Sequence, residues 1–411
     1  MSTAPRTSSD APVFAPTRAA GLELLADFVP RAGRDYAVGR NTDPGPGRDT
    51  AVSMLSRYVS HRLVTEREII EGVLEKHSPA AAQKFVQEVF WRTYWKGWLE
   101  LRPSVWAGYR ADVERLTAAS DDADFSVGLA AALEARTGIE CFDAWVSELV
   151  ENGYLHNHTR MWFASIWIFT LRLPWQLGAD FFYRHLLDGD PASNTLSWRW
   201  VAGLQTTGKT YLATADNIEK FTEGRFRPSG LAPTAPAIDD DPAPDARELP
   251  ATEPAPAGRA VLLLHDDDLH VESLDLGPAD IVGVTAFSSV GSRSPLRVAG
   301  DVARFSIAAV DDGVSRARAH VAERGSEPEH VGLDDLDEWM RRADVSTIVT
   351  PVAPVGPASE MLDAIERELP DGVRLVRVRR EWDTLAWPHA RRGFFPFRER
   401  IPELLRAQHL T

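Results

Sequence analysis

Cysteine is almost missing from this sequence: Cys141 stands alone among 411 residues. One thiol closes no internal disulfide and supplies no four-cysteine iron–sulfur cluster or zinc site. Long apolar runs are missing as well. No stretch approaches the roughly 18 to 20 apolar residues needed to cross a bilayer, and the opening MSTAPRTSSDAPVFAPTR lacks the apolar core of a signal peptide. A soluble, cytoplasmic protein without metal or membrane span is the expectation. Positive charge is in deficit, with a net charge of −15, which argues against nucleic acid because Lys and Arg contacts to phosphate dominate that affinity. The deficit is uneven, however: 25 Lys and Arg face 28 Asp and Glu through residue 230, so most of the acidity lies beyond it. A nearly neutral first half leaves room for a basic face.

What is present divides the chain in three. Between Pro228 and Arg259, eight prolines in 32 residues mix with Ala and Asp; proline fixes φ and removes donors, so residues 228–258 read as a semi-extended linker. Before it, TEREIIEGVLEKH (65–77), AAQKFVQEVFWRTYWKGWLEL (81–101) and CFDAWVSELVENG (141–153) repeat apolar residues at three- and four-residue steps, the signature of helices. GRNTDPGPGRD (39–49) and LDGDPASN (187–194) read as irregular connections. Beyond the linker, the short apolar runs AVLLLH (260–265), DIVGVTA (280–286), STIVTPV (346–352) and VRLVRV (373–378) alternate with helical stretches, which predicts an α/β unit with a mainly parallel sheet. No GxGxxG or GxxxxGKS loop follows any of these strands, which weakens an independent nucleotide-binding role for that unit. The fold class is thus multidomain: all-α over 1–227, then Rossmann-like α/β over 259–411.

The most informative stretch is TGIECFDAWVSELVENGYLHNHTRMWFASIWIFTLRLPWQLGADFFYRHLLDGDPASNTLSWRW (137–200). It resembles the cofactor domain of the DNA photolyase and cryptochrome family, through TG…DA…L…G..HN..RM and HLxDGDxASN…W.W, with a weaker match back to RDYAVGRN (34–41). The resemblance implies a bound FAD. It places a Ser/Thr-rich turn, Thr50, Ser53 and Ser56 with Leu55, on the phosphates, although Val52 replaces the first hydroxyl; ordinary helix caps are the plain alternative. It assigns Tyr36, Trp91, Arg92, Asn157, Arg160, Asp188, Asp190 and Asn194 to cofactor contacts, with Asn194 facing flavin N5. Taken alone, Asp188-Gly189-Asp190 is simply a turn.

Ten of the 13 tryptophans fall between Trp91 and Trp200. By resemblance, Trp198 and Trp175 pass electrons to a photoexcited flavin, while the stretch SDDADFSVG (120–128) has no counterpart of the family's third, surface tryptophan; Trp162 and Trp167 are further exits or plain core. Glu88, Trp91, Met161 and Trp200 correspond to residues that receive a flipped-out pyrimidine dimer, aromatic faces stacking on bases and a carboxyl bonding their polar edge. Three departures stand against duplex repair: Thr170 where an acidic partner of Arg160 is usual, TTGKTYLATADNIEKF (206–221) in place of an aromatic, Arg-rich stretch, and no long DNA-facing helices after it. VLLLHDDDLHVESL (261–274) and GFFPFRERIPELL (393–405) are similar to the start and end of the family's antenna domain, which implies a circularly permuted antenna-like unit with a second chromophore of unknown identity. The expected function is light-driven electron transfer from reduced FAD to a dimer in damaged DNA, single strands included; the alternative is a blue-light receptor acting on a signalling protein partner.

Overall fold

The computed structural model describes residues 14–118, 123–240 and 243–410. The first part is helical: α1 (Arg18–Phe28), α2 (Arg34–Gly39), α3 (Ser56–Ser60), α4 (Glu66–Leu74), α5 (Pro79–Glu100), α6 (Pro103–Ala118), α7 (Ala123–Leu133), α8 (Glu140–Asn152), α9 (Asn157–Ser165), α10 (Trp175–His185), α11 (Pro191–Val201) and α12 (Ala215–Phe221). Local signals account for the boundaries. Thr65 and Glu68 close a reciprocal capping box at the start of α4, Ser78 caps α5 with proline in its first turn, and Gly153 ends α8 at φ 62°, the left-handed conformation glycine adopts without a Cβ clash. A π-helical turn, Ile166–Thr170, follows α9.

One expectation needs correcting here. LDGDPASN is not irregular throughout, because α11 begins inside it at Pro191 and the Asp190 carboxylate accepts the Ser193 N–H at 2.7 Å. Aspartate before proline is a strong helix start, and the motif's resemblance to a turn obscured it.

The second part holds a five-stranded, wholly parallel sheet: β1 (Gly258–His265), β2 (Ala279–Phe287), β3 (Glu329–His330), β4 (Thr347–Pro351) and β5 (Arg374–Val378), ordered β3-β2-β1-β4-β5. With it go α13 (Gly300–Glu323), α14 (Leu336–Ala343), α15 (Pro357–Glu368), α16 (Glu381–Ala386), α17 (Phe394–Arg398) and α18 (Ile401–Ala407). Strand order reverses between β1 and β4, and the crevice beyond their carboxyl ends is where open α/β sheets hold ligands. Here the helical part occupies that crevice. Val355 N–H is accepted by Glu100 of α5, and Pro191 of α11 lies so close to Gly356, at φ 156°, that a Cβ there would sit 2.6 Å from its ring.

The linker is extended, as its prolines require, yet it is bonded along its length rather than free. Ala232 N–H reaches Thr170, Ile238 N–H reaches Ala202 O, Arg247 N–H reaches Leu101 O, and Pro250 O accepts from Arg379. The apolar core is continuous across the two parts: Phe90 of α5 stacks on Trp382 of α16 with centroids 5.1 Å apart. Among the described residues no helix is long and apolar enough to cross a membrane.

Candidate functional site

Helical periodicity sets the site's geometry. Residues three and four apart share a helix face, so α5 presents Glu88, Trp91, Arg92 and Lys96 along one side, while α11 presents Asp190, Asn194 and Trp198 as a stripe. The two meet at Asp190, whose Oδ2 lies 3.1 Å from Arg92 Nη2 and 3.3 Å from Lys96 Nζ. Burial opposes ionisation of Asp190, but Arg92, Lys96 and the Ser193 N–H outweigh it and hold the carboxyl well below its usual range.

Asp188 lies two residues back and faces another group of cations. Its Oδ2 accepts Arg160 Nη2 at 2.8 Å. Burial again opposes ionisation, and Arg160, Ser56 and Arg57 together hold this carboxyl below its usual range. Arg160 also gives Nε to Leu155 O at 2.9 Å. The counter-ion whose absence at Thr170 stood out in the sequence is thus Asp188.

Three groups beside this pair are buried without a hydrogen-bond partner: Asp188 Oδ1, His156 Nε2 and all three guanidinium nitrogens of Arg57. Arg57 is fully buried, its guanidinium 3.3 Å from the Phe14 ring centroid and 5.0 Å from that of Tyr154. Burial pulls its pKa down to about 10, although Tyr154 and Asp188 oppose this. Unsatisfied buried donors and acceptors are costly, and a polar, anionic cofactor would satisfy them. The residues present therefore fit an FAD: Ser56, Arg57 and Arg160 as partners for its anionic groups, Asp188 as acceptor for an N–H or hydroxyl. Sequence reading missed Arg57, whose one signal was its place directly after Ser56.

The other expected contacts are distributed less tightly. Thr50 and Ser53 spend their hydroxyls on the N–H groups of Val52 and Leu55, and Leu55 is buried at the start of α3. Tyr36 is buried beside Phe85, with Glu88 and Arg40 among the charges that act on it. Asn157 is exposed at the first turn of α9. Asn194 Nδ2 donates to Ala179 O at 2.7 Å, which fixes its amide against α10.

The residues expected to hold a substrate are engaged by different neighbours. Glu88 pairs with Arg40 at 3.1 Å, and Met161 is half-buried. Trp200 stacks on Tyr211 with centroids 5.8 Å apart. Trp91 is covered on one face by Phe394 of α17, 3.6 Å away and within 13° of parallel. The structure does not bring Trp91 and Trp200 into ring contact, and the aromatic facing Trp91 comes from the chain's own second part.

Trp198 is buried among Phe182, Trp167 and Phe163. It packs over Gly178, where a Cβ would lie 2.4 Å from its ring, one helical turn along α10 from Trp175. Trp175 stacks instead on Tyr109 of α6. Trp162 is fully buried and gives Nε1 to Asn217. The residues of 120–128 that precede 123 lie outside the described residues. A groove of about 540 Å³ between α5 and α18, lined by Lys84, Arg398 and Arg406 among others, touches none of the expected site residues.

Residues 85–225 match the FAD binding domain of DNA photolyase. The deoxyribodipyrimidine photo-lyase of Streptomyces griseus is 31% identical over 188 residues, 46% of this chain and 39% of that protein. That of Escherichia coli K12 is 27% identical over 235 residues, 54% of this chain and 48% of the relative. A bacterial class III photolyase from Agrobacterium tumefaciens, known as a crystal structure, is 26% identical with a TM-score of 0.43, covering 53% of this chain and 46% of that one. The chain spans less than half the length of each of these relatives.

Proposed function

The chain belongs to the DNA photolyase/cryptochrome family and carries its FAD-binding domain, and from that premise we propose that it uses blue light to split pyrimidine dimers held outside the base stack. When bound, FAD supplies the light absorption and the electron that opens the dimer and is afterwards returned. The protein's own groups do the rest. Asp188, Arg160, Ser56 and Arg57 orient the cofactor and replace its hydration with fixed charges. Paired with Arg40, the Glu88 carboxylate accepts a hydrogen bond from a pyrimidine N–H, and Arg40 offers a cation to the adjacent phosphate.

The observation that carries this reading is the Arg40–Glu88 pair at 3.1 Å, half-exposed on the same helix face as Trp91. Single strands or already unstacked lesions are the favoured form, since extruding a base from a duplex costs a few kcal/mol and the net charge of −15 offers little phosphate affinity. The test illuminates the reduced, FAD-loaded protein with dimer-containing single- and double-stranded oligonucleotides and counts restored bases. Repair should be greater on single strands, and Glu88→Gln should lower it on the order of tenfold, the worth of one charged hydrogen bond, with the flavin spectrum unchanged. Loss of FAD in that variant would place Glu88 elsewhere.

One observation favours a second reading, a blue-light receptor. Phe394 already stacks on Trp91, so light-induced charge in the first part would act on a second part docked against it. An illuminated protein that restores no bases on any oligonucleotide yet changes its protease pattern around α17 would select that reading.

A further inference from the structure

Trp198 is in ring contact with one tryptophan, Trp167, and packs over Gly178, three residues along α10 from Trp175; the first of these two ways out ends inside the core. Trp167, its T-shaped neighbour at 6.2 Å, is fully buried, gives Nε1 to Pro174 O, and otherwise touches the rings of Phe142, Phe163 and Phe181. Among the described residues those phenylalanines make no ring contact with any tryptophan or tyrosine besides Trp167 and Trp198, so nothing oxidisable lies beyond them. The route through Trp175 continues. Trp175 stacks on Tyr109 with centroids 5.8 Å apart and planes 24° from parallel, and Tyr109 packs on Trp106 at 5.3 Å. Trp106, on α6, donates Nε1–H to Glu360 Oε1 of α15 at 2.7 Å. Glu360 is exposed, so this indole has a base in contact with water.

Building on the light-driven reading above, we infer that Trp106 is the outer electron donor of this protein and that Glu360, from the second part, takes its proton. The oxidant is the photoexcited oxidised flavin, acting through Trp198 and Trp175. Trp106 gives one electron inward to the oxidised Trp175, and the Nε1 proton passes to the Glu360 carboxylate, which leaves a neutral indolyl radical. An external thiol then returns an electron, and the proton comes back from Glu360. Removing the proton traps the charge separation, because the electron can return inward only when the proton does too.

The electrostatics run in the same direction. Trp175 has the Arg199 guanidinium 5.8 Å from its ring centre, which disfavours positive charge there, whereas the carboxylate on Trp106 favours it and outweighs the more distant Arg110 at 5.7 Å from the ring. Tyr109 connects the two without holding the charge. Its hydroxyl is buried and has no hydrogen-bond partner, so no group takes the proton that a tyrosine radical must lose.

Flash photolysis and electron paramagnetic resonance on the full-length, FAD-loaded protein, with deuterated tryptophan to identify the radical, test this. Wild type should show a long-lived neutral tryptophan radical. Trp106→Phe should lose it. Glu360→Gln should show a protonated tryptophan radical that recombines faster, and Tyr109→Phe, which keeps the stacked ring, should behave as wild type. Because Glu360 is at the surface, its variant decides the matter even if Trp106→Phe fails to fold. An unchanged neutral radical in Trp106→Phe or in Glu360→Gln would overturn the assignment, as would its loss in Tyr109→Phe. Trp198→Phe separates this proposal from the reading beneath it: a wild-type signal in that variant means the light-driven path itself is wrong, whereas a lost signal there beside an intact one in Trp106→Phe refutes the outer donor alone.

Discussion

At the scale of single residues, burial sets the behaviour of the ionisable groups around the site. Glu100, which accepts the Val355 N–H, is raised to about 7 chiefly by burial, with Val355 and Arg247 opposing. His61, in contact with Asp266 O, is lowered to about 4, chiefly by burial and then by Arg293. The signs differ. The folded chain keeps a proton on Glu100 that the unfolded chain gives up above about pH 4.5, so this contribution is complete below that value and is lost as pH rises through 7. The folded chain keeps His61 neutral while the unfolded chain takes a proton below about pH 6.5, so stability falls as pH drops from there toward 4. Each accounts for about 3 kcal/mol at most, at 1.36 kcal/mol per pKa unit. Between about pH 4.5 and 6.5 the two slopes offset each other, so melting temperatures should decline below and above that window, and Glu100→Gln, which can still accept the Val355 N–H, should remove the decline above it and leave a rise from about pH 4 to 6.5. Parallel curves for the variant and wild type would show that Glu100 ionises normally.

At the scale of elements, much of the architecture was legible because local chemistry agrees with the fold. Apolar runs at 260–265, 280–286, 346–352 and 373–378 all fall on strands, and the helices α4, α5 and α8 begin and end near their expected limits. β3 was not legible, since a two-residue strand has no period to read. Nor was the start of α11, where one residue, Asp190, serves as a helix cap and as the acid facing Arg92 and Lys96. Asp190→Asn separates those duties, because asparagine caps as well as aspartate while leaving two cations buried without their carboxylate. Breaking a buried pair in this way costs about 3–5 kcal/mol. Denaturant unfolding of the full chain should show a loss of that size; a loss under about 1 kcal/mol, the range of an altered cap alone, would mean that Arg92 and Lys96 are satisfied by other groups, Glu66 first among them.

At the scale of the molecule, the core is shared between parts of the chain that sequence reading separates. A proline-rich linker between two differently patterned halves predicts that residues 1–228 form an independent FAD-binding fragment, because the residues that join the halves lie hundreds of positions apart and leave no local trace. Arg62 shows what such a cut would remove. It is buried in the helical part, and its guanidinium reaches Asp383 at 2.7 Å and Asp268 at 3.1 Å, both in the second part, while Glu66 at 3.6 Å is its neighbour within the first. Asp268 in turn is held by Arg380 at 2.6 Å. A fragment ending at 228 would keep Arg62 and Glu66, lose both aspartates, and expose the apolar side of α5 that packs on Trp382, Phe394 and Phe397. Apolar surface of that kind is an aggregation hazard. We therefore expect fragment 1–228 to be insoluble, or soluble with FAD lost, and co-expression of 229–411 as a separate chain to restore a yellow, soluble complex because the contacts are made across surfaces rather than through the linker. A soluble 1–228 fragment that retains FAD and unfolds with the cooperativity of the full chain would refute this and restore the linker to the role its prolines suggest.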